Sequence, residues 1–298
     1  MPSQQVSILQ LWDEIGLLHE DTKQISGTVI PCIGFNIDPN YMTVTMIPAK
    51  RESLIEACEL FVTPGRQSLW DFQQLAEHIN WALNVYPRMQ PALSALYAKI
   101  TGKSCTFASI RINNDICREL TWFTNHIKCF NGVHFLESIV WSPSDTGHTT
   151  MIAYTDASSK GLGVWFPGKH VSYQCPLPLN DPKDTIFYFE ALAVCSAILL
   201  ACSFQKTTCL IIYTNSTNTF DIFTSLTAKP IYNRILMCSI DMLLEDRLDL
   251  YVFHIPGHDN LIADPLSWHK NRLTTILSPS LIIGTFTPPQ DVMGTPKK

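Results

Sequence analysis

The second half of this 298-residue chain predicts an α/β domain: a mixed five-stranded sheet with flanking helices, preceded by a mostly helical region. Three observations lead there. Apolar runs of strand length and helix length alternate after about residue 146 in the order β-β-β-α-β-α-α-β-α. Two of the runs end alike, Tyr154-Thr155-Asp156 and Tyr213-Thr214-Asn215. Between them lies a helix, 186–204, apolar on every side, which belongs inside a layered fold.

The elements follow in order. Residues 7–20 have the period of an amphipathic helix. The β-branched runs 28–36 and 41–48 are separated by Asp38-Pro39-Asn40, the mark of a hairpin. A helix over 49–62 stops at Pro64-Gly65. Ser68 is placed to cap a helix over 69–85 that Pro87 breaks, and further helices cover 91–100 and 111–127. In the second half, strands are expected at 149–156, 161–166, 170–175, 210–214 and 249–255. Helices are expected at 186–204, 218–227, 231–246 and from about Asp264. This divides the chain into 1–145, 146–270 and a proline-bearing tail, 271–298, expected to be poorly ordered.

Composition narrows the function. Hydrophobic residues are 46% and charged residues 16%, a globular balance rather than a disordered one. The formal net charge of −5 gives no strongly basic footprint, although a nucleic-acid enzyme with metal-holding carboxylates can be acidic overall. Ten cysteines form no CxxC pair, so a zinc ribbon is not expected, and reduced, buried thiols point to an intracellular protein of the cytoplasm or nucleus. No basic-then-apolar leader opens the sequence, and the run Ala191–Phe204 is shorter than the ~20 residues a membrane span needs, so no membrane partner is expected.

The chemistry-bearing residues are carboxylates. Ligands of open α/β sheets gather at strand C-terminal ends where strand order reverses. If the strands ending in Asp156 and Asn215 are parallel neighbours, those side chains lie together there. Glu190 sits near the start of the apolar helix, where a buried carboxylate needs compensation. Asp264 opens the last helix. Each has a plainer alternative. Asp156 can serve the turn before Gly161, Glu190 can complement a helix dipole, and Asp264 before Pro265 can cap a helix. Taken jointly, Asp156, Glu190 and Asp264 make a hard-oxygen cluster suited to Mg²⁺ or Mn²⁺. A pair of such ions about 4 Å apart clamps the attacking and leaving oxygens of a phosphodiester. Trp165, Phe187 and Phe189 are most simply core. Arg66, Lys103, Arg111 and Arg118 are either a phosphate-tracking set or scattered surface charge.

The set YTDASSKGLGVW, FYFEALAV, YTNSTN and HIPGHDNLIADPLS resembles, in order and spacing, the ribonuclease H domains of retroelements. The resemblance implies that Asp156, Glu190 and Asp264 match three of four metal-binding acids. It also implies that His258 matches a mobile histidine that helps product release or proton transfer. Asn215 stands where the fourth acid is expected. IGFNIDPNYMTVTMIP and WDFQQLAEHINWALNVYPRMQPALSALYAKI look like the thumb and connection region of a reverse transcriptase, nearest to fungal DIRS- or gypsy-like polyproteins. The implied activity is hydrolysis of RNA in RNA–DNA hybrids with a two-metal site, one ion weakly held because of Asn215. The implied alternative is a non-catalytic nucleic-acid-binding relic. A transposase on a similar fold fits the PGHDN–AD spacing less well. A YxDD-type turn is absent, so polymerisation would need a polymerase palm from a longer polyprotein.

Overall fold

The computed structural model describes residues 3–20, 23–130, 132–134, 150–177, 186–204 and 207–293. The chain divides into two compact units, Met1–Ala92 with Gly102–Trp141, and Leu93–Thr101 with Ser142–Lys298. The expected boundary at 145/146 lies outside the described residues.

Unit 1 opens with helix α1 (Ser3–Glu14), then strands β1 (Ile30–Cys32), β2 (Phe35–Asp38) and β3 (Thr43–Met46). The run 28–36, expected as one strand, folds back on itself. Ile33 and Gly34 both have positive φ, 48° and 83°, the backbone of a tight hairpin turn, so β1 pairs antiparallel with β2. Asp38 Oδ1 then accepts from the N–H groups of Asn40 and Tyr41 and closes the expected second turn. Helix α2 (Pro48–Val62) carries Pro48 in its first turn, and β4 (Arg66–Ser68) leads into α3 (Leu69–Ala82). Ser68 and Asp71 form a reciprocal capping box at the start of α3. Helix α4 (Ser94–Ile100) groups with unit 2, where Ser94 Oγ donates to the Ala228 carbonyl at 2.7 Å. Unit 1 resumes with β5 (Ser109–Arg111), α5 (Asn114–Cys129) and β6 (Gly132–His134). Strands β1-β2-β3-β6 form one sheet, and β4 and β5 form a separate ribbon.

Unit 2 has the mixed α/β architecture expected from the sequence. Strands β7 (Thr150–Ala157), β8 (Gly161–Phe166) and β9 (Val171–Pro176) form an antiparallel meander. Helix α6 (Ile186–Cys202) crosses to β10 (Cys209–Thr214), which lies parallel to β7. Helices α7 (Thr217–Ser225) and α8 (Pro230–Glu245) lead to β11 (Asp249–His254), parallel to β10 on its other side. Helix α9 (Ala263–Ser267) follows.

The sheet has six strands, not five, in the order β11-β10-β7-β8-β9-β12. The sixth comes from the segment expected to be poorly ordered. Residues 271–285 form helix α10 (Asn271–Leu277) and strand β12 (Ile282–Thr285), which pairs parallel with β9. The prolines that suggested disorder begin beyond this strand, apart from Pro279 in the connection before it.

The core lies between one sheet face and helices α6 and α8. Met151, Ala153, Leu162, Val164, Phe166, Leu210 and Ile212 alternate toward it, as half-buried strands do. Helix α6 meets them with Leu192, Val194, Cys195 and Ile198, all fully buried. All ten cysteines are free thiols. Among the described residues no helix is long and apolar enough to cross a membrane.

Candidate functional site

From β7 the chain turns to β8 on one side, and from β10 it travels to β11 on the other. Strand order therefore reverses between β7 and β10, the position at whose C-terminal ends ligands of open α/β sheets gather. The parallel register sets Tyr154 beside Tyr213 and Thr155 beside Thr214. The next residues, Asp156 and Asn215, are thus neighbours, and Asn215 Nδ2 donates to Asp156 Oδ1 at 2.9 Å. This amide orientation is the one an ionised carboxylate selects, since the amide oxygen would repel it.

Asp156 is 3% exposed and has a second partner: Ser267 Oγ donates to its Oδ2 at 2.5 Å. Both carboxylate oxygens are therefore engaged. Burial pushes its pKa up to about 6, the Ser267 and Asn215 hydrogen bonds pull it back, and the Asp264 charge adds to the rise.

Glu190 lies in the second turn of α6 and is 5% exposed. Its pKa is pushed up to about 9, first by burial and next by the Asp156 charge. The Ala157 backbone N–H opposes this, and Asp264 adds to it. Glu190 Oε2 is buried without a hydrogen-bond partner, and so is Asn215 Oδ1.

Asp264 does not cap its helix. Helix α9 starts at Ala263 behind Ile262, with no side-chain cap, so Asp264 is already inside the first turn. Its charge acts on both Asp156 and Glu190.

Of the expected residues, Asn215 is bonded directly to Asp156, and the charges of Asp156 and Asp264 act on Glu190. His258 is not among them. It sits in the 3-10 turn Gly257–Asp259 with its side chain 82% exposed, and the contact recorded for it is with Asp259 at 3.5 Å. The turn itself borders the site, since a side-chain carbon on Gly257 would lie 3.7 Å from Asn215 Nδ2.

Three residues missed from the sequence hold this arrangement. Ser267 ties α9 to Asp156, and its carbonyl accepts from Ser158 Oγ at 2.8 Å. Its place one helical turn after Asp264 was the available signal. Asn260, fully buried, donates from Nδ2 to the Thr155 carbonyl at 2.9 Å and anchors the PGHDN turn to β7. Gly163 lets α9 lie directly on β8: a Cβ there would come within 2.5 Å of the Ala263 carbonyl oxygen and 2.8 Å of the Ser267 nitrogen.

The unpartnered Glu190 and Asn215 oxygens fit a hard cation. Each Asp156 oxygen accepts one hydrogen bond and keeps a lone pair for a cation. Among the described residues no three His, Cys, Asp or Glu side chains converge tightly enough to form a metal-binding group. Asn215 replaces one charge by an amide whose N–H occupies the neighbouring acid.

No protein-family model matches the chain, and no curated protein is significantly similar to it. Several solved structures are similar to it. An RNase H1 from the archaeon Halobacterium salinarum NRC-1 is 18% identical over 41% of this chain and 98% of its own, with a TM-score of 0.34. An RNase H1 in complex with an RNA/DNA hybrid is 19% identical over 39% of this chain and 92% of its own, TM-score 0.31. The foamy viral protease-reverse transcriptase in complex with an RNA/DNA hybrid is 14% identical over 85% of this chain, TM-score 0.37. This chain spans 33% of that viral protein. At these values the likeness lends no support to any function.

Proposed function

We propose that unit 2 is a ribonuclease H-type domain of a retroelement reverse transcriptase. It acts on the RNA strand of RNA–DNA hybrids at a rate lowered by Asn215. The observation that supports this is the pairing of Asp156 with Asn215, 2.9 Å apart at the ends of two parallel strands, within the electrostatic reach of Glu190 on α6 and Asp264 on α9.

Asp156, Glu190 and Asp264 would hold one Mg²⁺ or Mn²⁺, which when bound neutralises phosphate charge and supplies an activated water. The chain's own residues do the rest. Ser267 and Asn260 fix the end of β7, so that Asp156 is positioned before substrate arrives. Glu190 must give up its proton to take part as a carboxylate. Asn215 holds Asp156 by a hydrogen bond where a fourth acid would have offered charge, so a second ion would be held weakly. On this proposal unit 1 is the thumb and connection-like part of a fungal DIRS- or gypsy-like polyprotein. The polymerase palm lies elsewhere on that longer product, and the assembly works inside the cell.

A second reading has its own observation. Both Asp156 oxygens are already hydrogen-bonded, which favours a domain that binds a hybrid without cutting it.

The deciding experiment incubates a labelled RNA–DNA hybrid with Mn²⁺ and the wild type, Asn215→Asp and Asp156→Asn. The proposed function expects weak wild-type cleavage that Asp156→Asn abolishes. It expects Asn215→Asp to raise the rate by about a hundredfold or more, the worth of a regained ion contact of several kcal/mol. Binding without cleavage by the wild type and Asn215→Asp alike would establish the second reading. Neither binding nor cleavage by any folded variant would remove both.

A further inference from the structure

In unit 1, β4 and β5 pair antiparallel with Arg66 opposite Arg111 and Ser68 opposite Ser109. Past the strands, two more backbone bonds tie the first residues of α3 to the loop before β5. The Leu69 N–H donates to the Ala108 carbonyl and the Trp70 N–H to the Thr106 carbonyl, both at 3.0 Å. Alternation along a ribbon puts residues 66, 68, 109 and 111 on one face. Ile110 on the other face is 4% exposed, so that face is inward and the arginine face is outward.

Like charges directly opposite on an antiparallel pair are destabilising. Neither guanidinium has an ion pair or hydrogen bond among the described residues, unlike Arg118, which Asp115 holds at 2.7 Å. Two nearby acids are engaged, and Glu56 shares a surface cavity with Arg66. Asp71 is bonded in the capping box of α3, and Glu59, which lines a surface cavity with Glu56 and Arg66, is held by Lys128 at 2.9 Å. Beyond the serine pair, Trp70 is 52% exposed and Phe107 86% exposed. Two unpaired guanidiniums and two exposed aromatic rings at the ends of one ribbon are what phosphates and unstacked bases use together.

We propose that this ribbon binds single-stranded nucleic acid. Arg66 and Arg111 take backbone phosphates, and Trp70 and Phe107 offer ring faces to unpaired bases. A duplex keeps its bases stacked and cannot use the rings. An anionic peptide would use the arginines and leave the rings idle. The inference does not rest on the function of unit 2, since every residue in it belongs to unit 1.

The test is fluorescence anisotropy on the full chain with a fluorescein-labelled 12-nucleotide oligo-dT over about 50–200 mM salt, the range in which phosphate contacts are read. Each phosphate contact on a single strand contributes about −0.7 to the slope of log K against log salt. Arg66→Ala with Arg111→Ala should therefore flatten that slope by about 1.4. Trp70→Ala should weaken binding about tenfold and leave the slope alone. Arg272→Ala, on exposed α10 of unit 2, should change neither. Arg66→Gln removes one of the two opposed like charges and adds no acid beside Glu56 and Glu59, so it should weaken binding while unfolding no lower than the wild type, which separates lost binding from lost fold. An unchanged slope in the double arginine variant overturns the proposal. So does a wild type that does not bind oligo-dT at low salt. Equal displacement by polyglutamate with Trp70→Ala silent overturns it as well, and leaves a general anion surface.

Discussion

Replacing Glu190 by Gln should change how the stability of unit 2 depends on pH. Without a bound cation, folded Glu190 keeps its proton up to about pH 9. An unfolded chain releases it near the ordinary glutamate value of about 4.3. Between these values the folded state binds a proton that the unfolded state does not. Stability is therefore full below the unfolded value and is lost as pH rises, by up to about 1.4 kcal/mol per unit. From about pH 5.5 to about pH 8 that is roughly 3 kcal/mol. Asp156, raised to about 6, adds a loss of the same sign in the lower part of this window. For a domain of this size roughly 3 kcal/mol lowers Tm by about 6–12 °C. Thermal unfolding in EDTA, followed by circular dichroism at several pH values, reads this directly. Glu190→Gln cannot ionise and should retain only the smaller Asp156 part of the slope. Parallel Tm curves for the wild type and Glu190→Gln would refute the placement of Glu190 as a buried, proton-holding acid.

Other perturbations have similarly direct readouts. Ser267→Ala removes the 2.5 Å hydrogen bond to Asp156 and should cost about 1.5–3 kcal/mol in urea unfolding at pH 8, where Asp156 is ionised; an unchanged midpoint would deny that bond its role. Gly163→Ala drives a methyl group against the Ala263 carbonyl and the Ser267 nitrogen, and should cost about 1–3 kcal/mol by the same measurement. Leu192→Ala, in the fully buried part of α6, should cost about 2–5 kcal/mol and leave unit 1 intact by hydrogen exchange.

The pairing of Asp156 with Asn215 was legible because its information is local. The likeness of Tyr154-Thr155-Asp156 to Tyr213-Thr214-Asn215 anticipated matched positions on parallel neighbours, and the register pairs them residue for residue. Glu190 stood out as a charge in an apolar helix. The partners that complete the site were not legible, because they depend on packing. Ser267 reaches Asp156 only because α9 lies close on β8, and that closeness depends on Gly163, a glycine with no motif around it. His258 shows the reverse: a motif picked it out, yet its side chain points to solvent. The ribbon of β4 and β5 escaped notice because three-residue strands carry no periodicity. The turn at Ile33–Gly34 was missed because an isoleucine at positive φ is an unfavourable choice that propensity does not anticipate.

The pairing of β12 with β9 also bears on how the sheet avoids its own kind. Without β12, the row of N–H and C=O groups along six-residue β9 would be a template for another chain. With it, the outermost strand is four residues long, contains Gly284, and is followed by Pro288 and Pro289, which cannot donate to a further ladder. The C-terminal segment thus serves as a selvedge, a short finished border that keeps the woven sheet from being extended by a neighbour.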